Sequence, residues 1–453
     1  MNHREVWEGR GMRVVKMATV VLLLGLGVMS ASAATPANVG PTQTVKISLP
    51  SDYDDITQII GSGTSWLVVG NIDKSTVASS QLFPNEVSKG ESDGYVAMLD
   101  PGLHLVWSHR FGTSHDDVAT AIVRDRYGVI WSVGVTTKEV QSIPSPTPTA
   151  TVAPSPLSPD APVPTVNPDG VLPATTPSPP MVADQLLISS WSSSGQLLTQ
   201  NLWAIADGVA IVPTAVVAGK SGVYVVGTAV NVDTGNSRGF YLLVTKDGAV
   251  GPIHWIGSKA IALRAAVLLG NGSLVVAGSI AEVLKGKPAI GLVDAYLATV
   301  NPTTGVILRS QRSGTKSATR SWESVSSDRL GNLMATGVSR VGSKSEVVAT
   351  SFGPTGSVKF SLRLAKPLGT QIALPAPMGA FASIAVATSR PGRSGIEAYL
   401  TPVGATGRLL TPAYLVGKAG FGLIAAAASK GYLLASSDLG GLTLAWFAPR
   451  IRK

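Results

Sequence analysis

The carboxylates with the spacing to do chemistry are two adjacent pairs, Asp54-Asp55 and Asp116-Asp117, each opening an apolar-alternating stretch. Paired carboxylates can hold a hard cation or share general acid and base work. Asp at such a position also stops a turn by accepting from its own backbone. Later copies of the same stretch lack the pair, so the turn role is the expectation here. Asp125-x-x-Gly128 and Asp328-x-x-Gly331 read as turns for the same reason, since a calcium loop needs several more oxygen ligands at fixed spacing. His104, His109, His115 and His254 are scattered, with no His-Glu-x-x-His pair and no Gly-x-Ser-x-Gly elbow. Gly270-Asn271-Gly272 is a hairpin signal and not a phosphate cradle. The chain has no cysteine, which removes thiol chemistry and disulfide staples alike. No catalytic, cofactor-binding or metal-binding residue is expected from these patterns, and no cofactor.

The elements that carry these residues repeat. Asp116 to Thr136 reads as a strand, a turn at Tyr127-Gly128, and a second strand, a short apolar run from Val129 to Val133, closed by Gly134. A variable loop, a third strand, another Gly turn and a fourth strand follow. Six such copies are complete, and the seventh stops after its third strand, Leu442 to Phe447. Ahead of the first copy stands an orphan strand, Thr44 to Leu49. A spare strand at one end and a vacancy at the other are what a ring needs if it is fastened by its own termini. Four-stranded units recurring every roughly 50 residues predict an all-β fold, a seven-bladed β-propeller of antiparallel blades closed by the N-terminal strand 44–49. The Trp residues at 66, 107, 131, 191, 203, 255, 322 and 446 fall within strands and are expected to fill the space between blades.

The stretch Asp116 to Gly134, together with Asp-Gly-Tyr-Val-Ala-Met-Leu-Asp at 93 to 100, resembles the bacterial seven-bladed β-propeller (SBBP) repeat. Leu82-Phe83-Pro84 is similar to that family's loop. The resemblance covers 52 to 136 well, extends to about 360 less closely, and is poor beyond. It implies a fold and no shared catalytic site.

At the N-terminus, Arg13 and Lys16, the apolar run Val20 to Val28 and Ala31-Ser32-Ala33 have the layout of a secretory signal, so residues 1–33 are expected to be removed. The run is shorter than the roughly 20 residues that span a bilayer. Met12 or Met17 could serve as the start in place of Met1. A short tail, 34–42, precedes a single propeller domain over 43–453, and a Pro-rich loop, 143–180, is inserted in the second blade and expected to be disordered. An exported protein of the envelope or the medium is the consequence. Contact with the membrane would run only through an uncleaved signal.

Charged residues are 14% of the chain and the net charge is +9. Loops joining second to third strands, and fourth strands to the next blade, emerge on one face of a propeller. On blades one and two they hold Asp52, Asp73, Glu86, Glu91, Asp93, Asp116 and Asp117. On blades four to six they hold Lys285, Lys287, Lys316, Arg320, Arg340, Lys344, Lys366, Arg390 and Arg393. Clustered positive charge steers association with acidic partners. The expected role is therefore a binding or scaffold module for an anionic wall polymer or another surface protein, with nucleic acid a poor partner for an exported chain. The alternative is a propeller-type extracellular lyase or hydrolase acting at the channel mouth. Polar and acidic side chains converging on the innermost strands would favour it.

Overall fold

The computed structural model divides the chain into residues 1–34 and 35–453. It describes residues 41–448 except 50, 52–53, 77–81, 138–182, 206–208, 285–287, 329, 365–370, 376–383, 393–394, 405, 409–413, 419–421, 429–430 and 439–440. For 364, 371–375, 384–392, 395–399, 402, 414–418, 422–423, 428 and 437–438 it describes the backbone alone. The signal segment and the Pro-rich insert both lie outside the described residues.

The described strands pair into seven four-stranded antiparallel sheets. Blade one is Asp55–Ser62, Ser65–Asp73, Ser92–Leu99 and Leu105–Phe111. Asp117–Arg124, Ile130–Thr137, Ala183–Trp191 and Leu197–Ala204 form blade two. Blade three comprises Val209–Ala218, Gly222–Asn231, Ser237–Thr245 and His254–Ile256. In blade four the strands are Ile261–Leu268, Leu274–Ile280, Asp294–Val300 and Ile307–Ser313. Thr319–Ser327, Leu333–Val341, Lys344–Phe352 and Val358–Leu364 make blade five. Blade six runs Gln371–Pro375, Ile384–Gly392, Gly395–Val403 and Tyr414–Lys418. The last sheet takes three strands from the C-terminus, Gly422–Ala428, Gly431–Asp438 and Gly441–Phe447, and its fourth, Gln43–Ser48, from the N-terminal side. The first strands touch one another in sequence, blade to blade, and the first strand of the last sheet touches that of blade one. The ring is a propeller with its first strands innermost.

Burial follows position in the blade. Second and third strands such as Ile130–Thr137 and Ser92–Leu99 are buried almost throughout, which is why they read as largely apolar runs. Fourth strands face outward, and Ile307–Ser313 has an exposed first half. Trp66, Trp131, Trp191 and Trp322 are fully buried between blades, each contributing on the order of 3 kcal/mol of apolar burial.

One irregularity recurs on the innermost strands. Five of them carry a bulge, at Thr57, Thr120, Thr214, Arg264 and Glu323. Opposite each bulge the second strand has glycine, at Gly70, Gly134, Gly227, Gly278 and Gly337. The bulge drives a carbonyl into the space a side chain would need: a Cβ on Gly337 would lie 1.8 Å from the Ser321 oxygen, and one on Gly278 2.0 Å from that of Ala262. Blade six and the last sheet place Thr388 and Ser436 there, and their first two strands pair without a register shift.

The N-terminal strand pairs antiparallel with Gly441–Phe447, Gln43 opposite Trp446 through Ser48 opposite Gly441. Thr42 N extends the ladder to the Trp446 carbonyl at 2.7 Å, and its hydroxyl accepts from Ala448 N at 3.1 Å. Ile47 is buried in a cluster shared by the last sheet and blade one, with Ile59, Trp66, Leu433 and Leu444. Neighbouring blades lock by a second repeated contact, in which the glycine of each third-to-fourth-strand turn lies against the fourth strand of the preceding blade. Gly195 lies over Trp107, Gly248 over Asn201, Gly305 over His254, Gly356 over Gln311, and Gly407 over Phe360.

Candidate functional site

The expected basic residues divide into two groups. Lys316, Arg320, Arg340 and Lys344 all lie at one end of blade five, where its first strand begins, its second ends and its third begins. Arg340 is in register with Thr319 on one side and Ser345 on the other, and Lys344 faces Val341 across the hairpin. Lys316, Arg340 and Lys344 are exposed. Lys285, Lys287 and Arg393 lie outside the described residues, as does Lys366. Arg390 is described by its backbone alone, in register with Glu397.

Arg320 is the half-buried centre of this end. Its guanidinium donates to Ser313 Oγ at 2.8 Å, Thr315 Oγ1 at 3.3 Å and Ser339 Oγ at 3.5 Å. Burial disfavours its charge most, and the neighbouring Arg363 does so next, against the pull of Glu346 and Asp294. Hydroxyl groups rather than carboxylates hold it. Arg363, which sequence reasoning missed, pairs with Glu346 at 3.2 Å with both side chains about half exposed.

The acidic half of the face is different in kind, because most of its carboxylates are consumed internally. Asp54 is buried and accepts from Asp73 N at 2.9 Å, Ser51 N at 3.0 Å and the Thr76 hydroxyl. Asp117, fully buried, accepts from Thr113 N at 2.6 Å; burial raises its pKa above the ordinary carboxylate value, and these hydrogen bonds only partly offset that. Asp93 forms a buried ion pair with Arg110 at 2.9 Å. Glu86 accepts from Arg110 N at 2.8 Å and contacts His109 Nδ1 at 2.7 Å, and Glu91 pairs with Lys74. Asp125 and Asp328 are turn acceptors, Asp125 Oδ1 binding Tyr127 N at 2.8 Å and Val129 N at 3.0 Å around Gly128, whose φ is +89°. Among the described residues no group of three or more His, Asp and Glu side chains could hold a metal ion.

The buried acid and arginine form a unit that repeats by register. Asp93 and Arg110 in blade one, Asp294 and Arg312 in blade four (2.9 Å, both buried), and Glu346 and Arg363 in blade five occupy the same places on third and fourth strands. In blade three the same places hold Arg238 and Trp255, with the guanidinium 4.0 Å from the ring centre. The pair is scaffold, and its loss to solvent in blade five leaves that end open and basic.

All five bulged residues of the innermost strands are polar or charged. Thr57, Thr120 and Thr214 turn their hydroxyls back onto their own second strands, at Val69 O (3.2 Å), Val133 O (3.2 Å) and Val226 O (3.4 Å). Arg264 and Glu323, on adjacent blades, are the charged ones.

No family model matches the chain, so the likeness to the SBBP repeat rests on the residues quoted for it alone. No curated protein matches it either. Among solved structures, a protein of unknown function from Dyadobacter fermentans DSM 18053 is 11% identical, with 90% of this chain and 99% of that chain covered and a TM-score of 0.44. The Penicillium chrysogenum alpha-L-arabinanase complexed with arabinobiose is 10% identical over 72% of this chain and 92% of that one, with a TM-score of 0.43. Neither likeness is close enough to carry an argument about function.

Proposed function

We propose that the chain is an exported, seven-bladed propeller that serves as a binding or scaffold module for an anionic partner, such as a wall polymer or an acidic surface protein, through the basic end of blade five. The observation that carries this reading is the grouping of Lys316, Arg320, Arg340 and Lys344 beside Arg363, where among the described residues Glu346, paired with Arg363, is the one acid in an ion pair with the group. Charges left exposed on one sign raise the local concentration of opposite charge and the rate of encounter. The seven four-stranded sheets and the cycle of first-strand contacts support the blade number, and the layout of residues 1–33 supports export. Binding to poly-glutamate and to polyphosphate, measured at low and high salt, tests the reading. Affinity should fall with salt and should fall again when Lys316, Arg340 and Lys344 are changed to Gln. Salt-independent binding, or binding unchanged in the triple variant, would overturn it.

The second reading, a lyase or hydrolase acting at the channel, draws on Glu323 and Arg264 at bulged positions of the innermost strands. It requires that Glu323→Gln abolish an activity that survives neutralising the blade-five lysines.

A further inference from the structure

Blades four and five are separated by a cleft of about 500 Å³, lined by Ile290, Gln311, Ser313, Trp322, Thr350 and Phe352 among others. The register explains why it is there. On the fourth strand of blade one, Trp107, His109 and Phe111 sit opposite Met98, Val96 and Gly94. Arg309, Gln311 and Ser313 take the corresponding places in blade four, opposite Thr299, Leu297 and Ala295. In blade one those three rings close the gap to blade two, with His109 parallel to Trp191 at 6.1 Å, Trp107 against His109 at 5.8 Å, and Phe111 edge-on to Trp191 at 5.7 Å. Phe352 stands in the place of Trp191 on blade five.

The place of Ser313 is occupied by Phe111 in blade one, Trp203 in blade two, Ile256 in blade three and Ile47 in the last sheet. Blade four alone among these puts a small polar residue there. Trp322, in the place of Ala119, takes up part of the space and meets Phe352 edge-on at 6.3 Å. What remains has ring walls on one side and, on Gln311, an unmet acceptor. Gln311 donates from its Nε2 to the Gly356 carbonyl, while its Oε1 is buried without a hydrogen bond. A sheltered acceptor left unpaired is costly, and a ligand donor would recover that cost.

We propose that this cleft binds a small aromatic ring compound carrying a single N–H or O–H donor, the ring replacing those that blade one supplies from its own chain and the donor meeting Gln311 Oε1. The volume is within the ordinary range for small-molecule sites. The arginine at the cleft, Arg312, is already neutralised by Asp294 and bonded to the Glu282 carbonyl at 2.8 Å, so the ligand is neutral. This site adjoins the basic end of blade five, since Ser313 Oγ accepts from Arg320 at 2.8 Å, but it holds a neutral ligand and its occupancy does not depend on salt.

Binding of 3-methylindole and of 1,3-dimethylindole to the full chain, followed by ligand-observed NMR, tests the proposal. The first should bind about tenfold more tightly than the second, the value of one sheltered hydrogen bond. Gln311→Leu should erase that difference, and Ser313→Phe, which restores the ring blade one carries, should abolish binding of both. N-acetyltryptophanamide separates two sources of the same chemistry: its binding assigns the cleft to a ring borne by a peptide, and its failure beside bound 3-methylindole assigns it to a free compound. No indole binding to the folded wild-type chain, or binding untouched in both variants, would overturn the proposal.

Discussion

Gln43 donates its side-chain amide to the carbonyl of Gly102, which places the strand nearest the N-terminus against the turn of blade one. The same contact links Asn201 to Gly248 at 3.3 Å and Gln311 to Gly356, in each case from a fourth strand to the third-to-fourth-strand turn of the next blade. Gln43–Ser48 is therefore the fourth strand of the last sheet by its ladder and by its lateral contact alike. Removing Thr44 to Leu49 strips five of the six register pairs and exposes Leu444 and Leu442. At about 1 kcal/mol net for each backbone hydrogen bond, plus apolar burial, the loss is several kcal/mol. A sharp fall in melting temperature is expected by calorimetry, and an unchanged melting curve would refute it.

The buried pair Asp93–Arg110 and the exposed pair Glu346–Arg363 occupy matching places, so they separate burial from pairing. Arg110→Met strands a carboxylate in the interior and should cost about 3–5 kcal/mol. Arg363→Met at the half-exposed pair should cost under about 1 kcal/mol. Denaturant midpoints of the two variants measure the contrast, and equal losses would contradict it.

Asp117 makes stability fall with rising pH. Its folded pKa lies above the ordinary carboxylate value, chiefly through burial, so its protonated form is the one folding favours. The contribution is complete below the unfolded pKa and is lost as pH rises through the folded one. Stability of the wild-type chain relative to Asp117→Asn should therefore decline as the pH rises from the ordinary carboxylate value of about 4 through the raised folded one. Urea titrations across that window would show a flat or rising difference if the direction were wrong.

Glycines of two kinds respond to alanine for two reasons. Gly337→Ala sets a Cβ 1.8 Å from the Ser321 carbonyl, forcing the bulge at Glu323 to move, and should cost about 3 kcal/mol. Gly272→Ala has open space around it but a φ of +85°, and should cost about 1 kcal/mol. The first variant should also disturb the amide shifts of Ser321 to Ser324, whereas the second should leave them in place.

Much of this architecture was legible because second and third strands are buried on both faces. Trp66 to Gly70, Val223 to Gly227 and Leu333 to Gly337 announce themselves as apolar runs ended by the glycine that a bulge requires. The orphan strand at Thr44 to Leu49 was legible by arithmetic alone. Fourth strands were harder, since their outward faces obey no strict pattern, and Arg363 and Gln311 acquire meaning only once register puts them beside Arg110 and His109. The bulges at Thr57, Thr120 and Thr214 were invisible for a related reason, because one extra residue leaves the composition of a strand unchanged. The acids of blades one and two read as half of a charged face, yet Asp93 and Asp117 are buried acceptors, and spacing does not reveal burial. For the sixth copy, the first turn expected at Gly379 lies outside the described residues.

Joining the two ends of the chain is the claim on which the basic end of blade five and the cleft beside it both depend, and a cross-link tests it most directly. The chain has no cysteine, so Val45→Cys with Leu444→Cys, which are register partners, gives one thiol pair. Mild oxidation should close it into a disulfide, while Val45→Cys with Thr443→Cys, whose side chains point to opposite faces of the sheet, should stay reduced. A folded protein in which the first pair stays reduced, or in which both pairs oxidise alike, would contradict the closed ring.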